Sequence, residues 1–377
     1  VVGIVLESLQ RAGREVALFD RVEVEPTNKS FQDAIDFAKS QEFGGFISVG
    51  GGSVMDTAKA ANLYTSYPAD FLDYVNAPIG QGVPVPGPLK PLIAVPTTAG
   101  TGSETTGVAI FDLVEMKAKT GIAHRYLKPT LGIVDPDNTR SMPAQVAAST
   151  GLDVLSHALE SYTAIPFDQR SRPERPQLRP AYQGSNPISD LWSLEALKLM
   201  AEFLPRAVAD PGDDEARGQM SLAAALAGIG FGNAGVHLPH GMSYPVAGMV
   251  EGYVPEGYDI DYPLVPHGIA VIVNAPAVFR FTAPACADRH LRAAEVLGAD
   301  TSSVKEADAG AVLADCIIEL MRALNMPNGL GALGYGSEHI SGLVEGTLPQ
   351  HRVTKLSPRE ASAEDLAAIF EDALKYW

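Results

Sequence analysis

The stretch FISVGGGSVMDTAK, Phe46 to Lys59, decides how this chain folds. An apolar, β-branched run enters Gly50-Gly51-Gly52-Ser53, and a run with helical spacing leaves it. Glycines let a backbone approach an anion closely, and the free N–H groups and dipole at a helix start attract one. A pyrophosphate therefore fits at Gly51, Gly52 and Ser53. The pattern is not GxGxxG, and a lone GGGS serves equally as a tight turn. Asp56 suits the first turn of the helix, where the dipole favours a carboxylate.

Working outward, a second turn, AVPTTAGTGSETT, follows another strand-like run and gathers Thr97, Thr98, Thr101, Ser103 and Thr106 around Gly100 and Gly102. Alone it reads as a Thr-rich edge strand and loop. Two such turns at successive strand ends make a dinucleotide cleft the better reading. Strands are expected at Val16–Phe19, Gly45–Val49 and Leu92–Val95, with a last one in Pro129–Asp135, and helices at Phe31–Lys39 and Val54–Tyr64. The alternation predicts an α/β dinucleotide-binding domain with a Rossmann-like parallel sheet over residues 1–150. Beyond it, Ala/Leu-rich periodic stretches at Asp190–Phe203, Asp214–Gly230, Ile269–Phe281, Lys305–Leu324 and Ala363–Tyr376 predict an all-α domain over 151–377. Ala164 to Asp190 is too rich in Pro and Arg for helix and reads as a surface loop.

The second domain opens on GLDVLSHALESY, Gly151 to Tyr162. Asp153 and His157 stand four apart, so a helix puts both on one face within reach of one divalent ion. The pair alone is read more simply as a hydrogen-bonded pair on a helix surface. His240 in GVHLPHGMSYPVAG and His267 in PLVPHGIAVIVNAP are both His-Gly steps after Pro-containing turns, placed to offer further imidazoles at helix starts. His237 makes H-x-x-H with His240, but Pro239 disturbs the spacing, so it is expected to line the site without binding metal. His124, His290, His339 and His351 read as surface or capping residues.

At 377 residues the chain is long enough for two cores. Lys and Arg total 28 against 45 Asp and Glu, and the net charge of −17 argues against nucleic acid or an anionic membrane surface as partner. Cys286 and Cys316 are far apart and outside any CxxC, so neither a disulfide framework nor an iron–sulfur site is expected, and a reducing, cytosol-like compartment fits. No apolar run is expected to be long enough to span a bilayer, and no signal pattern opens the chain.

From GLDVLSHALE, HGMSYP and PHG in order, the chain is identified as resembling the iron-containing, or group III, alcohol dehydrogenases. The resemblance implies a dehydroquinate synthase-like architecture and makes Asp153, His157, His240 and His267 the metal ligands. It implies Fe²⁺, with Zn²⁺ the alternative, since three His and one carboxylate suit both. It places the counterparts of Thr97, Thr98, Thr101, Thr106 and Lys119 on the cofactor, although Lys119 alone reads as a solvated charge, and that of Asp56 beside a nicotinamide. The family's first strand, which helps to set NAD against NADP, is missing from the sequence, so the choice between them stays open. Typical members carry a histidine four residues after the third ligand, and this chain has Tyr244. In that and in AYQGSNPISD, Ala181 to Asp190, it is most similar to the hydroxyacid-oxoacid transhydrogenase branch.

That branch implies hydride passing from a hydroxyacid such as 4-hydroxybutyrate to bound NAD and on to an oxoacid such as 2-oxoglutarate. An NAD(P)-dependent dehydrogenase of simple alcohols is the alternative; a metal-dependent hydrolase and a non-catalytic metal-binding scaffold fit less well. Tyr244 and His237 are expected near the substrate. The Pro-rich segment is expected to fold over the metal with Arg179, beside Tyr182, Gln183, Ser185 and Asn186, offering a bidentate fork to a remote carboxylate. Small-molecule partners, a homodimer and a cytoplasmic setting, or the mitochondrial matrix in a eukaryote, complete the expectation.

Overall fold

The computed structural model describes residues 1–116, 118–176 and 179–377. Helix α1 (Val2–Arg11) buries no residue. Thr27 caps α2 (Asn28–Lys39) by accepting the Ser30 N–H, and Phe31, Ala34, Ile35 and Ala38 form its buried stripe. Strand β1 (Phe46–Gly50) runs through Gly51 into α3 (Gly52–Ser66), as the opening turn requires. Next come β2 (Leu92–Pro96), β3 (Val108–Leu113), β4 (Ala118–Ala123) and the two-residue β5 (Leu131–Gly132). Strands β1, β2 and β5 form a parallel sheet in that order, with Phe46 opposite Leu92 and Ile93 opposite Leu131.

One expected strand is corrected. Val16–Phe19 belongs to no strand: an apolar run needs a neighbouring ladder, and none of the described strands pairs with it. Beside the parallel sheet, β3 and β4 form a separate antiparallel hairpin that the sequence reading did not place, with Val108 opposite Ala123. A connection as short as that between Leu113 and Ala118 can only return the chain antiparallel. Pro129–Asp135 shrinks to β5.

The rest is helical: α4 (Ala144–Thr163), α5 (Pro187–Ala209), α6 (Asp214–Ala234), α7 (Leu238–Gly248), α8 (His267–Ile272), α9 (Ala275–Thr282), α10 (Ala287–Val296), α11 (Ala309–Ala323), α12 (Ile340–Thr347), α13 (His351–Thr354) and α14 (Ala363–Asp372). The expected division at 150/151 falls inside α4. The expected helix Ile269–Phe281 is split into α8 and α9 around Val273 and Asn274, shortly before Pro276, which has no N–H to give. His267–Ala285 is long and apolar enough by composition to cross a membrane, which corrects the contrary expectation. Most of it is buried in the helical core, and a helix enclosed on all sides must be apolar all round.

Helix α4 is the axis of this half. Every residue from Gly151 to Thr163 is buried, packed by α5, α6 and α8, so it is enclosed rather than amphipathic. Helix α8 comes so close that a Cβ on Gly268 would sit on the Ser149 carbonyl oxygen of α4. Gly268→Ala must push the two helices apart, which is expected to cost about 1–3 kcal/mol. Urea unfolding should show a lower midpoint at unchanged slope; an unchanged midpoint would mean that the contact is not tight.

Candidate active site

A cavity of about 100 Å³ lies where the two turns of the α/β half face the helical half. Gly52, Ser53, Asp56, Thr101, Ser103 and Thr106 line one wall, and Asp153, His157, His240 and His267 line another. The turns pack on each other: a Cβ on Gly52 would come within 2.6 Å of the Thr101 side chain, and one on Gly51 within 3.2 Å of Thr98. Thr97 holds the turns together through its N–H to the Gly50 carbonyl, 3.0 Å. Among the expected cofactor residues, Gly52, Ser53, Asp56, Thr101 and Thr106 line this cavity, whereas half-exposed Gly51, Thr97 and Thr98 and buried Lys119 do not.

Asp56 is a bracket as well as a lining residue. One of its oxygens accepts from Ser103 Oγ at 2.6 Å and the other from the Ile110 N–H at 2.9 Å, which ties α3 to the second turn and to β3. Lys119 is buried, not solvated: its Nζ is 2.7 Å from Glu25 and 3.1 Å from Asp112. Burial pushes the Glu25 carboxyl up, but Lys119 outweighs this and holds it below the ordinary range. Glu25, which sequence reasoning missed, sits in the left-handed region at φ 54°, uncommon for a residue other than glycine. It accepts the His267 N–H at 3.2 Å and donates its own N–H to Ser53 Oγ at 3.2 Å.

On the other wall, the Nε2 atoms of His240, His157 and His267 stand 3.6, 3.7 and 3.9 Å from Asp153 Oδ1. These separations are too long for hydrogen bonds. They approach the spacing of atoms sharing one ion, since ligands about 2.1 Å from a tetrahedral metal lie about 3.4 Å apart. Asp153 Oδ1 and His240 Nε2 are both shut from solvent without a hydrogen-bond partner, a costly arrangement that a cation between them relieves. Burial pushes the Asp153 carboxyl up, but His157 and His267 outweigh it and hold it well below the ordinary range. Burial pushes the His157 imidazole down to about 3 and His267 down as well, leaving their nitrogens free to donate electron pairs. The donor set fits a divalent metal.

The missed partner is Glu160, fully buried on α4. Its Oε1 lies 2.6 Å from His240 Nδ1, and its Oε2 accepts the His237 N–H at 2.6 Å. Burial pushes the His240 imidazole down, but Glu160 outweighs this and raises it to about 10. With Nδ1 held by the carboxylate, Nε2 is the atom turned to Asp153. The signal was present in GLDVLSHALE, because 153, 157 and 160 share one helical face.

His237 does not line the cavity, which corrects its expected place near the substrate. Its backbone is drawn toward Glu160, and its ring lies behind α7, with Nε2 3.0 Å from Thr163 Oγ1 and the ring edge-on to Phe279. Arg179 is also corrected: it is exposed on the Pro-rich segment and contributes nothing to the lining. Ser185 bonds the Ala164 carbonyl, Asn186 caps α5 and the Gln183 N–H bonds the Asn233 carbonyl, so that stretch is spent on anchoring itself. Tyr182 alone reaches in, through room left by Gly235, where a Cβ would come within 2.7 Å of the tyrosine's own. Tyr244 lines the cavity one turn after His240, and its hydroxyl accepts from Arg352 Nη2 at 2.6 Å.

A sheet with two glycine-bearing turns, opposite a buried carboxylate with two buried imidazoles and a half-buried third, has the make-up of a metal- and nicotinamide-dependent oxidoreductase. Residues 1–136 match the family described as iron-containing alcohol dehydrogenase, and 181–374 match the C-terminal part of the same family. The chain belongs to the iron-containing alcohol dehydrogenase family, whose members are oxidoreductases using NAD(P) and a divalent metal. Within it, the chain falls with the transhydrogenase branch. It is 60% identical to the mitochondrial hydroxyacid-oxoacid transhydrogenase of Xenopus laevis, over 99% of this chain and 81% of that one. The Homo sapiens protein of the same description is 57% identical, over 100% and 81%. Among solved structures, a 1,3-propanediol oxidoreductase superposes with a TM-score of 0.84 at 29% identity, covering 99% of this chain and 88% of the other. The sulfoacetaldehyde reductase of Bifidobacterium kashiwanohense, solved with NAD⁺, gives 0.77 at 27%, covering 98% and 89%.

Partners behind a metal ligand typically carry a 10–100-fold share of metal affinity. Glu160→Gln is expected to weaken metal binding by about that factor while leaving the helices intact; equal metal retention during graded chelation would remove Glu160 from this role.

Proposed function

We propose that this chain transfers hydride from a hydroxyacid such as 4-hydroxybutyrate to bound NAD and from there to an oxoacid such as 2-oxoglutarate. The observation that carries the reading is the convergence of three imidazole Nε2 atoms on Asp153 Oδ1, in the cavity that also opens on Gly52 and Ser53. The transhydrogenase names of the relatives support the choice of substrates, and the NAD⁺ in the Bifidobacterium reductase supports NAD over NADP. Residues 1–150 form the dinucleotide part and 151–377 the metal part in this reading. The names of the relatives also favour the mitochondrial matrix over the cytoplasm.

A divalent cation, Fe²⁺ ahead of Zn²⁺ by family, held by Asp153, His157, His240 and His267 supplies a Lewis acid for a substrate oxygen, while NAD at the glycine turn supplies the hydride carrier. The chain's own groups do the rest. Gly52 and Ser53, at the start of α3, offer N–H groups to phosphate. Phe231 stacks on the His157 ring at 4.0 Å between centroids and, with Val108, Ile110 and Val236, keeps water from the reacting end. The Tyr244 hydroxyl, accepting from Arg352, keeps its own proton to donate to a substrate oxygen.

Tyr244 also bears on the choice between the two activities. A histidine in its place titrates near neutral pH and relays protons, whereas tyrosine has an ordinary pKa near ~10. Oxidation of one hydroxyacid yields a hydride and a proton, and reduction of one oxoacid takes up both. A paired cycle therefore needs no net proton exit. For assembly a homodimer is proposed, supported by the exposed Ile188, Leu191 and Trp192 on one side of α5; light scattering reads it directly.

Protein supplied with 4-hydroxybutyrate deuterated at its hydroxyl carbon, together with 2-oxoglutarate and no added NAD, should place the label on the new 2-hydroxyglutarate. Product that forms only with free NAD would point to an ordinary dehydrogenase. Asp153→Asn should lose metal and turnover together, and full metal content by elemental analysis would sink the ligand assignment. Tyr244→His should raise oxidation of ethanol-like alcohols; no rise counts against the proton argument.

A further inference from the structure

Among the described residues the cavity lining holds one Lys or Arg side chain, which the hydride-transfer reading uses only as a support for Tyr244. Arg352, on the four-residue α13, points its guanidinium between Tyr244 and Tyr182. Its Nη2 donates to Tyr244 Oη, and its central carbon stands 5.3 Å from the centroid of the Tyr182 ring. The Nη1 atom is shut from solvent and has no hydrogen-bond partner. Tyr244 and Tyr182 are the side chains set against this guanidinium, and among the described residues it forms no ion pair with a carboxylate. The contrast with Arg206, Arg280 and Arg289 is plain, since each of those meets an Asp within 3.0 Å.

An interior guanidinium without a counter-charge is costly to keep. Its geometry is fixed all the same: Tyr244 holds one nitrogen, Tyr182 flanks the plane, and Val353 and Leu356 of the same stretch are packed in the apolar cluster with both tyrosines. What is left unpaired is one nitrogen of a planar fork, on a residue that lines the same cavity as the Asp153 cluster. A carboxylate is the group that such a fork binds bidentately.

We propose that Arg352, oriented by Tyr244 and Tyr182, is the binding residue for the substrate carboxylate remote from the reacting carbon, so that the site selects acids carrying a carboxylate two methylenes from the carbon that gives or takes hydride. The inference rests on the hydride-transfer reading and adds a substrate class to it. In 4-hydroxybutyrate, two methylenes separate the hydroxyl-bearing carbon from the carboxylate. In 2-oxoglutarate, two methylenes separate the keto carbon from the distal carboxylate. One cation therefore serves both halves of the cycle without rearrangement. Tyr244 lies four residues beyond His240 on α7, about 6 Å along the axis, so the fork stands a short chain's length from the cluster.

The test uses metal-loaded enzyme and two readouts. Glutarate, which has the carboxylate spacing but no group to oxidise or reduce, is titrated by calorimetry into the parent, Arg352→Met and Arg352→Lys. Affinity should fall on the order of 30-fold or more in Arg352→Met and less in Arg352→Lys, as for a truncated buried charge pair. NADH affinity and metal content should not move. In turnover, kcat/KM for 4-hydroxybutyrate should drop by a factor of that order beyond whatever drop butan-1-ol, which has no carboxylate, shows through the loosened Tyr244 hydroxyl; equal drops for the two substrates count against the assignment. Thermal unfolding without ligand should be unchanged or higher in Arg352→Met, because an unneutralised cation has left the interior. Equal glutarate affinity in parent and Arg352→Met, a parallel loss of NADH binding, or a lowered unfolding temperature overturns the assignment. Arg352-dependent glutarate binding by a parent that transfers no hydride to any acceptor would overturn the hydride-transfer reading and leave the carboxylate site standing.

Discussion

Two carboxylates on one enclosed helix set the terms for the rest of the structure. Asp153 and Glu160 are both almost wholly buried on α4, where an ion without partners would cost several kcal/mol. Glu160 is answered by α7: the His237 N–H, the His240 N–H and the His240 ring all turn toward it. Asp153 is answered by imidazoles alone, from its own helix and from the starts of α7 and α8. That need fits the close approach of α8 at Gly268, because a wider spacing would carry His267 away from Asp153.

The sequence was most legible where chemistry and periodicity coincide locally. Gly50 to Ser53 could be read as a strand-to-helix turn because both flanking patterns are unambiguous, and Asp153 with His157 because four residues make one turn of helix. His240 and His267 could be seen only as His-Gly steps, and it took the family resemblance to join them to α4. Glu160 was readable in principle: extending the face of Asp153 and His157 by one more turn reaches it. The antiparallel hairpin was lost because its strands, VAIFDL and AKTGIA, carry weak alternation beside a Thr- and Gly-rich turn. Val16–Phe19 shows the converse, a strand-like composition without a ladder.

Arg179 and Arg352 show where linear reasoning ends. Arg179 was favoured because it adjoins AYQGSNPISD, yet adjacency along the chain put it on the surface while Tyr182, three residues later, entered the cavity. Arg352 stands 108 residues from Tyr244, on a helix too short for any periodic signal. Only the return of the chain after α12, over the hairpin and α7, brings the guanidinium to the tyrosine. Long-range pairs of this kind have no local signature, and neither does the apolar cluster of Val108, Tyr182, Phe231, Val236, Tyr244, Val353 and Leu356 that holds them.

Glu25 joins the two halves through one strained residue. Its backbone donates to Ser53 in the glycine turn, and its side chain accepts from Lys119 and from the first N–H of α8 at His267. A residue other than glycine stays at a left-handed φ only where the contacts around it over-determine its place. The set of the glycine turn at Ser53 and the set of the helix that begins at His267 are thereby tied through a single residue. Neither end can shift without loading the Glu25 backbone, so the two walls of the cavity share one hinge point instead of being placed independently.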